Sequence, residues 1–218
     1  MASHQIRPQM TAVRGFVGML FDREKDKDNK ELLNLSATGI ERTLRILADM
    51  LNLSEFTSSV FKLHKRPMDL VELIDNELLL VKPIALTAKM TVDFDTDVGM
   101  APMSGDDIKL REVIANFLHN AIQYGTSGTT VHVRLVQANG MLRFTVRDQG
   151  IGVAETESKR LFTKFYRTKN AQEVRPAGSG VGLFLAKKVV EAHGGEVFYE
   201  PAHPGSTFGF SIPFNDKG

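Results

Sequence analysis

Apolar residues recur at steps of three and four through Ile6, Met10, Val13, Val17 and Leu20, which predicts a helix with one apolar stripe. The stretch from Arg23 to Glu31 is almost wholly charged or polar and reads as a connection. A second stripe then runs through Leu33, Ile40, Leu44, Leu47, Met50 and Leu51. Two helices with one seam each cannot enclose a core. Pairing with a second copy in a four-helix bundle would bury both seams, and packing against the rest of the chain is the other way to do it.

Around Lys65-Arg66-Pro67 the helical pattern stops, so a domain boundary is expected there, with one domain over 1–66 and another over 67–218. Beyond it the pattern mixes periods. Leu70 to Leu86 reads as a helix that Pro83 kinks or ends, Met90 to Phe94 as a strand, and Asp107 to Tyr124 as a helix. Val131 to Val136 and Met141 to Asp148 alternate with period two around Asn139-Gly140, the signature of a hairpin. A helix from about Val181 to Ala192 precedes strands at Glu196 to Tyr199 and Thr207 to Ile212. The fold class is α+β: a helical hairpin, then an α/β sandwich with helices on one face of a largely antiparallel sheet.

Composition changes this picture little. A formal net charge of +1 gives no electrostatic case for nucleic acid or for a membrane surface. The absence of cysteine excludes disulfides and thiolate metal sites and is compatible with the cytosol. No apolar run approaches the ~20 residues that span a bilayer, and nothing resembles a signal peptide. No membrane contact is therefore expected from this stretch of chain.

Candidate chemistry gathers in the second half. Asp148 is in register with the coreward set Leu142, Phe144 and Val146. A carboxylate pointing inward needs donors: an adenine amine, a backbone cap or a water would each serve. Gly150 and Gly152 permit turn conformations and close backbone approach. On the helix over 107–124, Glu112, Asn116, Asn120 and Gln123 share one stripe, which is either a solvated face or a ligand face. Asparagine is a mediocre helix former, and its amide oxygen can hold Mg²⁺ beside phosphate oxygens. Gly178-Ser179-Gly180-Val181-Gly182 opens into an apolar helix, whose N-terminus favours phosphate. Lys164, Arg167 and Lys169 either reach a terminal phosphate or keep an exposed loop soluble. Thr168 to Ala177 has little periodicity and reads as a mobile lid.

Together these blocks resemble the ATP-binding domain of sensor histidine kinases, in the gyrase–Hsp90–kinase–MutL superfamily. Asn116 to Gly125 resembles the N box, Asp148 to Gly152 the G1 box, Leu161 to Arg167 the F box and Gly178 to Leu183 the G2 box. His193-Gly194-Gly195 and Gly205-Ser206-Thr207-Phe208 match the tail of that domain. The resemblance implies ATP and Mg²⁺ as cofactors. Asn116 and Asn120 would hold the metal. Nucleotide contacts would come from Gln123, Tyr124, Asp148, Gly150, Gly152, Arg167, Gly178, Ser179, Gly180, Val181, Gly182, Leu183 and Thr207. Ser3-His4-Gln5-Ile6-Arg7 resembles the H box, which makes His4 the residue phosphorylated. The remaining histidines lack ligand-like spacing. The family further implies a homodimer through the N-terminal helices, a response-regulator receiver domain as partner, and a cytoplasmic place, as in the cytoplasmic part of a membrane-bound sensor.

Three positions depart from the family pattern. Gln5 replaces the acidic residue that helps deprotonate the phosphoacceptor. Pro8 stands where a Thr or Asn would position water for dephosphorylating the regulator. Gln123 stands where many relatives place a phosphate-contacting Lys. A degenerate, nucleotide-binding pseudokinase is one alternative. A superfamily ATPase is another, but such enzymes place a water-activating Glu four residues before the metal-binding Asn, where this chain has Asn116. Anti-sigma serine kinases share the pocket but lack the helical phosphoacceptor domain.

Overall fold

The computed structural model describes residues 2–57, 62–176 and 178–214, with only the backbone path for 2–9, 41–42 and 45–57. The chain divides into two compact units, Met1–Phe61 and Lys62–Gly218.

The first unit is a hairpin of two helices, α1 (Ala2–Arg23) and α2 (Lys27–Thr57). Only Glu24 to Asp26 lie outside helix, so the connection is much shorter than the polar run predicts. Asp26 explains the difference. Its Oδ1 accepts the N–H groups of Asp28 at 2.9 Å and Asn29 at 3.0 Å, capping α2 so that Lys27 to Glu31 form its first turn. The predicted seam residues Met10, Val17, Leu33, Ile40 and Leu44 are half-buried, and none of the described side chains in this unit is fully buried. Phe16, Met19, Leu20, Leu32 and Leu35 are exposed.

The second unit carries a five-stranded sheet of order β2-β4-β5-β7-β6, from β2 (Thr91–Thr96), β4 (Thr130–Ala138), β5 (Met141–Asp148), β6 (Glu196–Pro201) and β7 (Ser206–Pro213). Its long helices are α3 (Leu70–Thr87), α4 (Asp107–Tyr124) and α7 (Gly182–Ala192). They cover the face built by Val131, Val133, Leu135, Leu142, Phe144, Val146, Phe210 and Ile212, all buried. Strand alternation leaves Arg134 and Arg147 on the other, solvated face. The hairpin of β4 and β5 turns at Asn139 and Gly140, both at positive φ, as an Asn-Gly turn requires.

Three features depart from expectation. Arg66–Asp69 forms a short strand β1, paired antiparallel with β3 (Pro102–Gly105). Four-residue strands are too short to show a period. The edge strand β2 pairs parallel with β4, the crossover being made through α4. Pro83 does not end α3, which continues to Thr87. The N–H that proline lacks would have bonded the Leu79 carbonyl, on the side of the helix where Leu79, Leu80 and Pro83 are exposed, so the missing bond falls on the solvent-facing side.

Candidate functional site

Between the C-terminal end of β5, α4 and the loop before α7 lies a cavity of about 620 Å³, counting its solvent-open mouth. Its walls include Asn120 and Tyr124 of α4, Asp148 of β5, Ile151, Gly152 and Val153 of the following turn, and Leu161, Tyr166, Arg167, Thr168 and Ala171 of the long loop. Leu183 of α7 and Ser206 and Phe208 of β7 complete it. An apolar cleft with a few polar groups matches the ordinary anatomy of a small-molecule site. Phe208 packs against other rings, with centroids 5.3 Å from Tyr199 and 6.3 Å from Phe117.

Asp148 is the informative member. It is only 4% exposed, and its Oδ1 accepts the Gly150 N–H at 2.8 Å. Burial pushes its carboxyl up to about 6, against the lowering effect of the Gly150 and Ser206 N–H groups. Such a group gains most from a ligand that donates a hydrogen bond. The turn after it is compact. Ile151 donates to the Tyr124 carbonyl at 3.1 Å, and a Cβ on Gly150 would lie 1.9 Å from that oxygen. Gly150 therefore serves the junction of strand and helix, while Gly152, at φ 62°, reaches the cavity wall.

The paired asparagines take different tasks. Asn120 donates through Nδ2 to Asn116 Oδ1 at 3.0 Å, and Asn120 lines the cavity. Asn116 packs against α7, where a Cβ on Gly182 would lie 2.1 Å from its amide nitrogen. Asn116 is thus turned to α7 and to Asn120, and Asn120 is the amide presented to a ligand. Gln123, one turn on, is half-buried and outside the wall. The oxygen donors fit Mg²⁺ in one way only. Among the described residues no group of three His, Asp, Glu or Cys side chains could hold a metal ion, so the cation would need phosphate oxygens beside the Asn120 amide. That is ordinary practice for Mg²⁺.

The G2 segment enters α7 at Val181, with no side-chain cap on the helix's first N–H groups, leaving them for an anion. Gly180 turns the chain at φ 69°, Ser179 Oγ accepts the Val181 N–H at 3.4 Å, and Val181 itself is buried. Gly178 packs against the Arg167 guanidinium. That guanidinium is bonded to carbonyls of its own loop, Ala171 at 2.8 Å, Pro176 at 3.1 Å, Gly178 at 3.3 Å and also Arg175. In this structure Arg167 organises the loop.

The stretch read as an aperiodic lid contains a helix, α6 (Lys169–Val174), after the short α5 (Glu155–Ser158). Thr168, 3% exposed, caps α6 by accepting the Ala171 N–H at 3.3 Å. Thr207 pairs with Arg147 on β5, which puts it on the sheet face away from Asp148. Ser206, paired with Asp148, occupies the cavity position instead. The parity of the strand, counted back from Phe208 and Phe210, was the signal that could have found Ser206. A Thr-x-x-Ala cap before a polar turn was the signal for Thr168. His4 lies within α1, and its side chain is outside the described ones.

Residues 105–216 match the family of histidine kinase-, DNA gyrase B-, and HSP90-like ATPases, which is the class that this sheet and cleft define. Residues 1–59 match the His Kinase A (phospho-acceptor) domain. With both matches in this order, the chain belongs to the sensor histidine kinases and comprises a kinase core. It is 27% identical over 99% of its length to "Sensor histidine kinase WalK" of Bacillus subtilis, covering 36% of that protein. It is 29% identical to "Two-component system protein A" of Emericella nidulans, covering 99% of this chain and 33% of that one. The chain thus spans about a third of the length of these curated relatives.

Among solved structures, full-length ShkA in complex with AMPPNP aligns with 98% of this chain and 44% of its own at TM-score 0.78 and 24% identity. The mycobacterial sensor histidine kinase MprB aligns with 69% of this chain and 99% of its own at 0.61 and 29% identity. The histidine kinase ThkA, in complex with the response regulator protein TrrA, aligns with 98% of this chain and 60% of its own at 0.72 and 21% identity. No helix among the described residues is long and apolar enough to cross a membrane.

Proposed function

We propose that this chain uses Mg-ATP to phosphorylate His4 and passes the phosphoryl group to an aspartate of a response-regulator receiver domain. The observation that carries this reading is the buried Asp148 carboxylate in an apolar cleft, with Asn120 and Leu183, from the first turn of the uncapped α7, on the same cavity. These three fit an adenine amine, a phosphate-bound cation and the phosphates themselves. The match of residues 1–59 to a phospho-acceptor domain supports His4 as acceptor. ThkA, in its complex with a response regulator protein, supports the choice of partner.

In this mechanism Asp148 accepts a hydrogen bond from the adenine amine, and Asn120, oriented by Asn116, would hold Mg²⁺. A cation held there would supply charge neutralisation to the phosphates. The α7 N–H groups hold the phosphate chain. An imidazole nitrogen of His4 attacks the γ-phosphorus, the bond to the bridging oxygen of ADP breaks, and a phosphoramidate forms. The imidazole proton leaves to solvent, because Gln5 has no basic group to take it. Asn116 likewise offers no base for water, which favours transfer over hydrolysis. Pro8 lacks the hydroxyl or amide that would help dephosphorylate the regulator, so kinase activity should exceed phosphatase activity.

The exposed apolar side chains of α1 and α2 support a homodimer through the helical unit. The chain acts in the cytoplasm, as the cytoplasmic part of a longer sensor. Gln5 and Pro8 also favour a second reading, a degenerate kinase that binds nucleotide without turnover. A Mg-ATP phosphorylation time course beside an ADP titration separates the two. Acid-labile, base-stable phosphoprotein that accumulates at ADP-competable sites is expected, whereas binding without label would establish the degenerate form.

A further inference from the structure

Asn170, the second residue of α6, touches both walls of the cleft from behind. Its Nδ2 donates to the carbonyl of Gly152 at 2.9 Å and to that of Ile151 at 3.3 Å. Its Oδ1 accepts the Thr168 hydroxyl at 2.6 Å and the Ala171 N–H at 2.8 Å. Ile151 and Gly152 belong to the turn after Asp148, whereas Thr168 and Ala171 belong to the lid, and all four line the cavity. One planar amide therefore joins the wall beside the carboxylate to the wall that covers it, with two contacts on each side.

Among the described residues, the other side-chain hydrogen bonds of this region run along the loop itself, between residues 157 and 178, and none reaches the turn after Asp148. Glu157 accepts the Tyr166 hydroxyl and the Lys169 N–H, each at 3.1 Å. Arg167 closes on carbonyls between Ala171 and Gly178. These bonds give the loop its own shape, and the Asn170 amide sets where that shape sits against the turn. The task needs a side chain with both a donor and an acceptor at short reach, which asparagine has and aspartate lacks.

We infer that Asn170 is a positioning residue for nucleotide binding, fixing the lid helix α6 against the Ile151–Gly152 turn. This rests on the nucleotide reading of the cleft. Asn170→Asp separates the two halves of its work. The carboxylate keeps the acceptor used by Thr168 and Ala171, but it offers no N–H to the two carbonyls and faces them with like partial charge. Loss of that bridge lets the lid part from the turn, so bound nucleotide leaves faster.

The test uses the full chain, with ADP binding by titration and stopped flow, and Mg-ATP autophosphorylation. Asn170→Asp is expected to weaken ADP about tenfold, mainly through faster release. The KM for ATP should rise by a similar factor, with the rate at saturating ATP within about twofold and the nucleotide-free melting temperature unchanged. Asn170→Ala, which adds no charge, should lose ADP affinity by at least the same factor. ADP affinity within twofold of the parent in both variants overturns the inference, as does a fall in saturated rate with KM unchanged. A parent chain that fails to bind ADP overturns the nucleotide reading itself, and the role of Asn170 with it.

Discussion

The two units spend similar apolar residues in opposite ways. In the helical hairpin the described side chains are half-buried at best, and Phe16 and Leu35 are 61% and 64% exposed. In the second unit Phe117, Phe144 and Phe210 are 0% exposed, and the ring centroids of the latter two lie 5.1 Å apart. A sheet with three helices on one face closes its own core. Two helices have only one seam between them and leave their outer apolar faces to a partner. The cleft therefore sits on a body that is complete within one chain, whereas the phosphoacceptor unit, on the reading proposed above, would be completed by a second copy.

The largest effects are expected from damaging the core of the second unit and the exposed apolar face of the hairpin separately. Phe117→Ala removes a ring at the centre of α4's packing and should cost roughly 3–5 kcal/mol, by denaturant unfolding. It should abolish ADP binding, while the helical signal of the hairpin survives at denaturant concentrations that melt the second unit. The mirror experiment is Phe16→Glu with Leu35→Glu. Placing charges on the dimer seam should weaken self-association at least ~100-fold in sedimentation equilibrium, with ADP affinity unchanged. If the double variant stays dimeric, the exposed seam is not the interface.

A smaller effect tests whether the cleft carries a cost that the core does not. The Asp148 carboxyl, pushed by burial up to about 6 from 3.8, binds its proton more tightly folded than unfolded. Its favourable contribution is complete below pH ~4 and is lost as pH rises through about 6, to a total on the order of 3 kcal/mol. Asp148→Asn should therefore stabilise the nucleotide-free protein at pH 7.5, by up to that amount, in thermal or urea unfolding. The same change should weaken ADP by ~100-fold, since an adenine amine loses a charged acceptor. In the parent, ADP affinity should decline as pH falls below 6, because a protonated Asp148 accepts poorly. A flat affinity between pH 5 and 7.5 would argue against Asp148 as the adenine contact.

The parts legible in the sequence were those with a local physical signature. Asn139-Gly140 announced the turn between β4 and β5. The apolar period of Asp107 to Tyr124 gave both ends of α4. Asp148 was visible because a carboxylate in register with Leu142, Phe144 and Val146 has to be buried. What stayed hidden depends on partners distant in the chain. β1 exists because β3 lies beside it. The division of labour between Asn116 and Asn120 is set by the approach of Gly182, 62 residues after Asn120. Thr207 and Ser206 are neighbours whose roles differ only by strand parity. The lid held its order in the side chains of Glu157, Arg167 and Asn170, and polar networks of that kind leave no period to read.

The most direct test of the account joins the two units. The full chain and its His4→Ala variant are incubated with radiolabelled Mg-ATP, with ADP affinity measured on the same preparations. Acid-labile, base-stable label is expected on the parent and none on His4→Ala, although both bind ADP equally. Label on His4→Ala at the parent's rate would contradict His4 as the acceptor.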